Sequence, residues 1–438
     1  MKNVTLITII GFMLFMSVGI ISPISSLYAE SLGASYIAIG LLGAVTSLVS
    51  IFASYVWGRA SDRLGQRQVF LAVGLATLAV AQGLKAIVPN YAYLFPMNML
   101  GAIAQAAYVT TSLALMGDLL EQRPGERGRR MGVYRGLNSL GFSLMAFVSG
   151  SMADRFSIRV PFVLASVFLG VAFWLVSKIQ EPSLDPATQV TFRDRAVFFR
   201  LVLVSAREAT GTMADQFMAL VRHRANGDKL AGPGTTPTPH RVGEGAERLP
   251  LDPLLISTFL WSLTFGAVIA VWPNYMVSEL AYTQSDVGRL WSLAAFFEFP
   301  LMILSGWLSD RIGRLPMLGL GLLLWVIVFV GYVFAPMMPW IMAIQLIRGL
   351  AYAAFVATAM TYAAEARPKA ERGWVSGLYN AASGAGTILG SFTGGALAQL
   401  TGFRAMILIS AVLVFGGAVY VGVIAVRRAV PVGRRPSY

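Results

Sequence analysis

Twelve stretches of this chain are long, mostly apolar and nearly free of charge. They lie at about 4–29, 36–57, 68–88, 92–117, 132–153 and 159–179, then at about 254–279, 286–306, 316–335, 337–364, 374–399 and 402–427. An α-helix rises 1.5 Å per residue, so roughly 20 apolar residues cross the hydrocarbon of a bilayer. Lipid offers no water to the backbone, and a spanning segment must satisfy its own N–H and C=O groups. The pattern therefore predicts an all-α membrane protein of twelve transmembrane helices. Composition points the same way. Hydrophobic residues make up 56% of the chain, charged residues 13%, and mean hydropathy is +0.67. A soluble domain carries about 25% charged residues. The first span is too long for a signal peptide, and no small-x-small cleavage site follows it.

The net charge of +13 would point to nucleic acid in a soluble protein. Here membrane orientation accounts for it. With a cytoplasmic N-terminus, Lys2, Arg59, Arg63, Arg67, Arg127, Arg129, Arg130, Arg311, Arg314, Arg367, Arg372 and the tail arginines all fall inside. Only Lys85, Arg155, Arg159, Arg289 and Arg404 fall outside or near that face. Positive charge concentrates on the cytoplasmic side of membrane proteins. No nucleic-acid partner is expected. An even number of spans places both termini in the cytoplasm, and the expected location is the plasma (inner) membrane.

The expected division is a six-helix bundle over 1–180, a cytoplasmic linker over 181–252, a second six-helix bundle over 253–430 and a tail over 431–438. Within the linker, 191–224 mixes apolar and basic residues, as an amphipathic helix on an anionic leaflet does. A plain linker is the alternative. Residues 226–250 have the Gly, Pro and Thr content of a disordered segment.

The two halves repeat each other. GRASDRLGQR runs from Gly58 to Arg67, and GWLSDRIGRL from Gly306 to Leu315, 248 residues later. Gly, Ser, Asp, Arg and Gly keep their offsets. Glu126-Arg127-Gly128 returns as Glu371-Arg372-Gly373, and Gly132, Tyr134, Gly141, Gly150 and Arg159 return as Gly377, Tyr379, Gly386, Gly395 and Arg404. The second and third spans, and the fifth and sixth, thus have counterparts in a parallel second half.

These features resemble the major facilitator superfamily of secondary transporters. The decapeptide is similar to that family's loop motif, G-x-x-x-D-R-x-G-R-R/K, on the inner side after the second and the eighth spans. The resemblance implies the major facilitator fold, with two pseudo-symmetric six-helix bundles and, by default, a monomer. It also implies that Gly58, Asp62, Arg63, Gly65 and Arg67, with Gly306, Asp310, Arg311, Gly313 and Arg314, lock the inner face when the cavity opens outward. The glycines permit tight turns or close helix approach. Asp62 is expected beside 371–374 and Asp310 beside the start of the fifth span, each a carboxylate at a helix N-terminus. Gln66 and Leu315 depart from the motif's two basic positions. The fourth span lacks the Arg-Gly pair of many proton-coupled members; Arg348-Gly349 stands in the tenth instead. The Gly-Pro pair of drug:proton antiporters is absent from the fifth span.

Two ionisable residues lie mid-span. Glu298 stands eight residues before Gly306, and Arg348 about eleven from the outer end of its span. An isolated charge there costs on the order of 2.5–3.5 kcal/mol, so such residues pair and serve function. Glu298 is expected to take a coupling proton, and Arg348 to bind it or an anionic group of the substrate. A static ion pair is the alternative. The resemblance makes the first, fourth, seventh and tenth spans line the cavity. Gln105, Tyr108, Trp272, Asn274, Tyr275, Gln345 and Tyr352 are then candidate contacts for a small organic solute.

The expected function is secondary active transport by alternating access, coupled to protons and directed outward, of a small organic solute or amphipathic drug. A sugar or organic-acid transporter working by uptake or uniport, and a non-transporting sensor, are the alternatives. An enzyme fits poorly. The chain has no Cys, and its two histidines, His223 and His240, fall in the linker with no ligand set at metal spacing. No G-x-x-x-x-G-K-[ST] loop offers an ATP site. No cofactor or metal is expected.

Overall fold

A computed structural model describes residues 2–64, 67–121, 127–179, 202–208, 210–211, 249–335, 337–367 and 371–429. Thirteen longer helices order these residues. They are α1 (Lys2–Ile21), α2 (Ser25–Ser31), α3 (Tyr36–Leu64), α4 (Arg67–Lys85), α5 (Leu94–Glu121), α6 (Arg127–Arg155), α7 (Val160–Val176), α8 (Leu251–Asn274), α9 (Gln284–Ile312), α10 (Arg314–Phe334), α11 (Met338–Glu365), α12 (Arg372–Thr401) and α13 (Phe403–Ala429). Each predicted span has a helix. The first is shared by α1 and α2, with Pro23 in the turn between them, where a ring without an N–H interrupts the ladder. His223, His240 and most of the predicted linker lie outside the described residues.

Eight helices among the described residues are long and apolar enough to cross a membrane, and nine if α9, bent by 44° between Glu298 and Pro300, is one span. The remainder have physical reasons for falling short. α7 is apolar but 17 residues long. α6 and α12 are long enough, but they spend Gly and Ser on close packing rather than on lipid contact. A Cβ on Gly19 of α1 would strike the Phe142 carbonyl of α6, and one on Gly390 of α12 would strike the Leu263 carbonyl of α8. Small residues are how helix backbones approach in a membrane. The architecture is the all-helical one expected for the major facilitator fold.

The chain forms two compact units. One comprises Met1–Met213, Ile269–Phe296 and Ser391–Phe403; the other comprises Ala214–Val268, Phe297–Gly390 and Arg404–Tyr438. The core of the first is built on Ile7, Ile10, Leu14, Leu71, Leu75, Leu78 and Tyr108. The second centres on Trp261, whose ring lies 4.9 Å from Phe355, 5.1 Å from Phe265, 5.8 Å from Tyr352 and 6.4 Å from Trp325.

α8 ends at Pro273-Asn274 and continues as one π-helical turn over Tyr275–Glu279. There the Leu280 N–H donates five residues back to the Tyr275 carbonyl, at 3.2 Å. The wider turn brings the side chains of Asn274 and Ser278 to one carboxylate, as described below.

Candidate functional site

Both decapeptides are mostly helix. The first is the last two turns of α3 and the start of α4; Gly65 and Gln66 lie outside the described residues. The second ends α9 at Ile312 and turns at Gly313 alone, whose φ of +93° favours glycine. The expectation that Gly58 and Gly306 turn the chain or admit a neighbour is corrected. Both are inside helices, and a Cβ on either would meet nothing within 4 Å.

Each decapeptide closes a charge network within its own unit. Arg67 Nε reaches Asp118 at 2.8 Å, and its Nη2 lies 3.8 Å from Asp62. In the second unit Arg314 donates from Nε and Nη2 to the two oxygens of Glu365, both at 2.9 Å. Its Nη1 meets Asp310 at 2.6 Å and donates to the Ser309 hydroxyl at 3.0 Å. The two networks correspond, with one change of register. Arg67 aligns with Leu315, and Gln66 with Arg314. Each half keeps one of the motif's two basic positions, and that one arginine ties the motif carboxylate to the end of the second helix on. The two Arg-Asp partners differ. Arg63 makes a two-pronged bond to Glu208, at 2.7 and 2.8 Å, in the described helical piece 202–208 of the linker. This bond holds the Glu208 carboxyl below the usual carboxylate range. Arg311 instead lies over the Trp307 ring, 3.8 Å from its centroid.

The second unit holds four of the predicted coupling and substrate residues. Glu298 is half-buried in α9, two residues before Pro300, at the 44° bend. A proline has no N–H for the ladder and bends a helix at this point. Arg348 of α11 lies within electrostatic reach of Glu298, and both act on the Tyr352 hydroxyl. Gln345 and Tyr352 flank Arg348 by one turn on either side of the same helix. Gln345 is fully buried and accepts a bond from the Tyr332 hydroxyl at 3.5 Å, while its amide nitrogen has no partner among the described residues. Tyr352 in turn packs on the Trp261 ring. Glu298, Arg348 and Tyr352 thus lie within electrostatic range of one another, with Gln345 one turn from Arg348 on the same helix.

The other predicted contacts are elsewhere, in the first unit. Tyr108 is core, beside Tyr134 and Ser112, and Gln105 is half-buried one turn before it on α5. Trp272 is buried and stacks on Trp291 at 6.4 Å, and buried Tyr275 faces Phe403 at 5.7 Å. Asn274, also buried, donates from Nδ2 to Glu30 at 2.6 Å and to the Ser26 carbonyl at 3.3 Å. Glu30 further accepts from the Tyr36 hydroxyl at 3.0 Å and the Ser278 hydroxyl at 3.4 Å. Asn274 is therefore engaged by a protein carboxylate.

Sequence reasoning missed Glu30, Asp118, Glu208 and Glu365. Asp118 and Glu365 carried a signal, because they stand 247 residues apart at equivalent helix ends. Glu30 and Glu208 carried none. Among the described residues no cluster of acidic or histidine side chains is fit to hold a metal ion.

Comparison with known proteins follows the geometry. Residues 5–408 match the model described as "MFS_1 like family". The chain is 23% identical over 415 residues to a putative sugar efflux transporter of Deinococcus radiodurans, covering 93% of this chain and 94% of that one. It is 27% identical over 205 residues to multidrug resistance protein 1 of Bacillus subtilis, covering 46% of this chain and 51%, about half, of the relative. Among solved structures, the nucleoside transporter NupG superposes with a TM-score of 0.75 at 13% identity, over 97% of this chain and 99% of that one.

Proposed function

The chain belongs to the MFS_1 like family of membrane transport proteins, and from that premise we propose that it moves a small organic solute outward across the plasma membrane by alternating access, in exchange for protons. Its termini then lie in the cytoplasm. Both decapeptides then face the cytoplasm, and Glu30 faces the outer side. The uneven placing of arginines supports that orientation.

One observation carries the coupling. Glu298 sits at a helix bend within reach of Arg348, on a segment where charge is costly. The proposed cycle uses these two groups. With the inner side open, Glu298 releases its proton to the cytoplasm, and the ionised carboxylate takes a hydrogen-bond donor or cationic group of the solute in place of Arg348. With the outer side open, a proton neutralises Glu298, the carboxylate loses its hold, and the solute leaves. A proton and the solute thus compete for one carboxylate, which is what exchange requires. The two arginine networks, Arg67 with Asp62 and Asp118 and Arg314 with Asp310 and Glu365, hold the inner ends of their helices during the outward-open phase.

The rings around Trp261 support a ring-bearing or amphipathic solute, since aromatic faces with few polar groups recognise such molecules. The name of the putative sugar efflux transporter and that of the multidrug resistance protein among the relatives support outward flux. A sugar is the second reading, favoured by the match to a putative sugar efflux transporter along nearly the whole chain. Inverted vesicles with a lumenal pH dye, offered panels of drugs, sugars and organic acids, test the proposal. Proton movement evoked by one panel and carried by Glu298 supports it.

A further inference from the structure

Lys85, the last residue of α4, is 6% exposed, on a helix whose other buried residues are apolar or glycine. An ammonium taken out of water needs an opposite charge or a set of acceptors. Among the described residues no carboxylate pairs with Lys85, and burial is the one influence on its charge. The nearest elements explain why. Glu30 of α2 is already engaged by Asn274, Tyr36 and Ser278. α5 carries its acids, Asp118 and Glu121, at its opposite end, and α7 has none. Gln82, one turn earlier on α4, keeps a buried amide oxygen without a donor, so it does not hold the ammonium either.

The backbone around Lys85 is pinned. The Tyr28 hydroxyl donates to the Lys85 carbonyl at 2.6 Å, and the Tyr28 ring lies 4.6 Å from Phe162 of α7. Ser166 of α7 donates to the Ala79 carbonyl at 2.8 Å, and Arg159, just before α7, to the Val88 carbonyl at 3.4 Å. These bonds use the carbonyls of this stretch and add a second cation beside it. The Lys85 side chain runs instead to α5. A Cβ on Gly101 would lie 4.0 Å from Lys85 Nζ and 3.6 Å from Leu78 Cδ1, and would meet no other neighbour within 4 Å. The ammonium therefore faces a bare stretch of helix, with room for about one methyl group beside the nitrogen.

We propose that Lys85 and Gly101 form a site for one small monovalent anion of halide size, with the ammonium as its charge partner and the glycine as the space that admits it. The anion supplies the charge that the neighbouring side chains withhold. The methyl-sized room and the small exposure select a simple ion over a carboxylate or phosphate borne on a larger molecule. Neither the site nor its test depends on the transport reading. Purified full-length protein in detergent is titrated with chloride against gluconate at constant ionic strength. Chloride NMR line width reads binding, and thermal melting reads the stabilisation linked to it. The wild type should show a saturable excess width and a melting temperature that rises over the same range. Sulfate, divalent and too large for the space, should not displace the chloride. Lys85→Met should lose the saturable width and melt no lower than the wild type in gluconate, because it deletes an unpaired buried charge. Gly101→Ala keeps the lysine and favours the helix, yet it fills the space and should also lose the saturable width. Lys178→Met, which removes an exposed lysine after α7, should bind as the wild type does. No saturable width in the wild type overturns the proposal. So does a width unchanged in folded Lys85→Met or Gly101→Ala, and so does an equal loss in Lys178→Met, which would show general attraction to positive charge.

Discussion

Arg314 grips both oxygens of Glu365 at 2.9 Å while its remaining terminal nitrogen holds Asp310 at 2.6 Å. One guanidinium therefore joins the end of α9, the start of α10 and the end of α11. In the first half Arg67 does the same for Asp62 and Asp118, from a position one residue later in the motif.

That shift of register makes a swap informative. Arg67→Leu should lower transport about three- to tenfold, as losing partly exposed pairs worth up to ~1 kcal/mol each would. Adding Gln66→Arg to Arg67→Leu copies the second-half arrangement and should restore most of the rate. Flux through equal amounts of membrane-inserted protein measures it. No restoration would mean that Arg67 acts by more than joining Asp62 to Asp118.

Asn274→Leu should destabilise the protein by about 1–3 kcal/mol, because it strips a buried donor from Glu30. Thermal melting in detergent reads this. Asn274→Asp should be worse, since it sets a second carboxylate against Glu30. If the Asp variant melts above the Leu variant, the assigned direction of the hydrogen bond is wrong.

Docking of 202–208 on α3 should depend on pH. The bond from Arg63 lowers the Glu208 carboxyl below its ordinary value. A depressed acid stabilises the bound form above its free pKa and loses that contribution as pH falls through the lower, bound value. Docking should be complete at neutral pH and loosen in acid. Ser205 is buried beside Arg63, so a Ser205→Cys thiol should label slowly at pH 7, and faster in Glu208→Gln at the same pH. Equal labelling would show that the pair does not hold the segment.

Much of this architecture was legible in the chain, and the exceptions have a common cause. The apolar runs located a helix for each of the twelve predicted spans, because lipid leaves the backbone no other solution. The doubled decapeptide marked both arginine networks, although a motif that reads as a loop proved, among the described residues, to be mostly helix, with the second copy turning at Gly313. Glu298 and Arg348 were found because a charge in an apolar run is conspicuous. Asn274 was read as a solute contact. Its actual partner, Glu30, lies 244 residues away, and nothing local in sequence signals such a distance. Tyr108 was read in the same way, yet it is core. On a membrane helix, a tyrosine that faces a cavity and one that faces a neighbouring helix look alike in sequence.

Comparing the wild-type protein with Glu298→Gln in energised inverted vesicles, with lumenal pH followed while drugs, sugars and organic acids are added, tests the central claim most directly. A pH response of the wild type to one panel, abolished in a Gln variant that inserts and melts as the wild type does, is the predicted result. An equal response from both proteins would contradict it, since the proton would then travel without the carboxylate at the bend of α9.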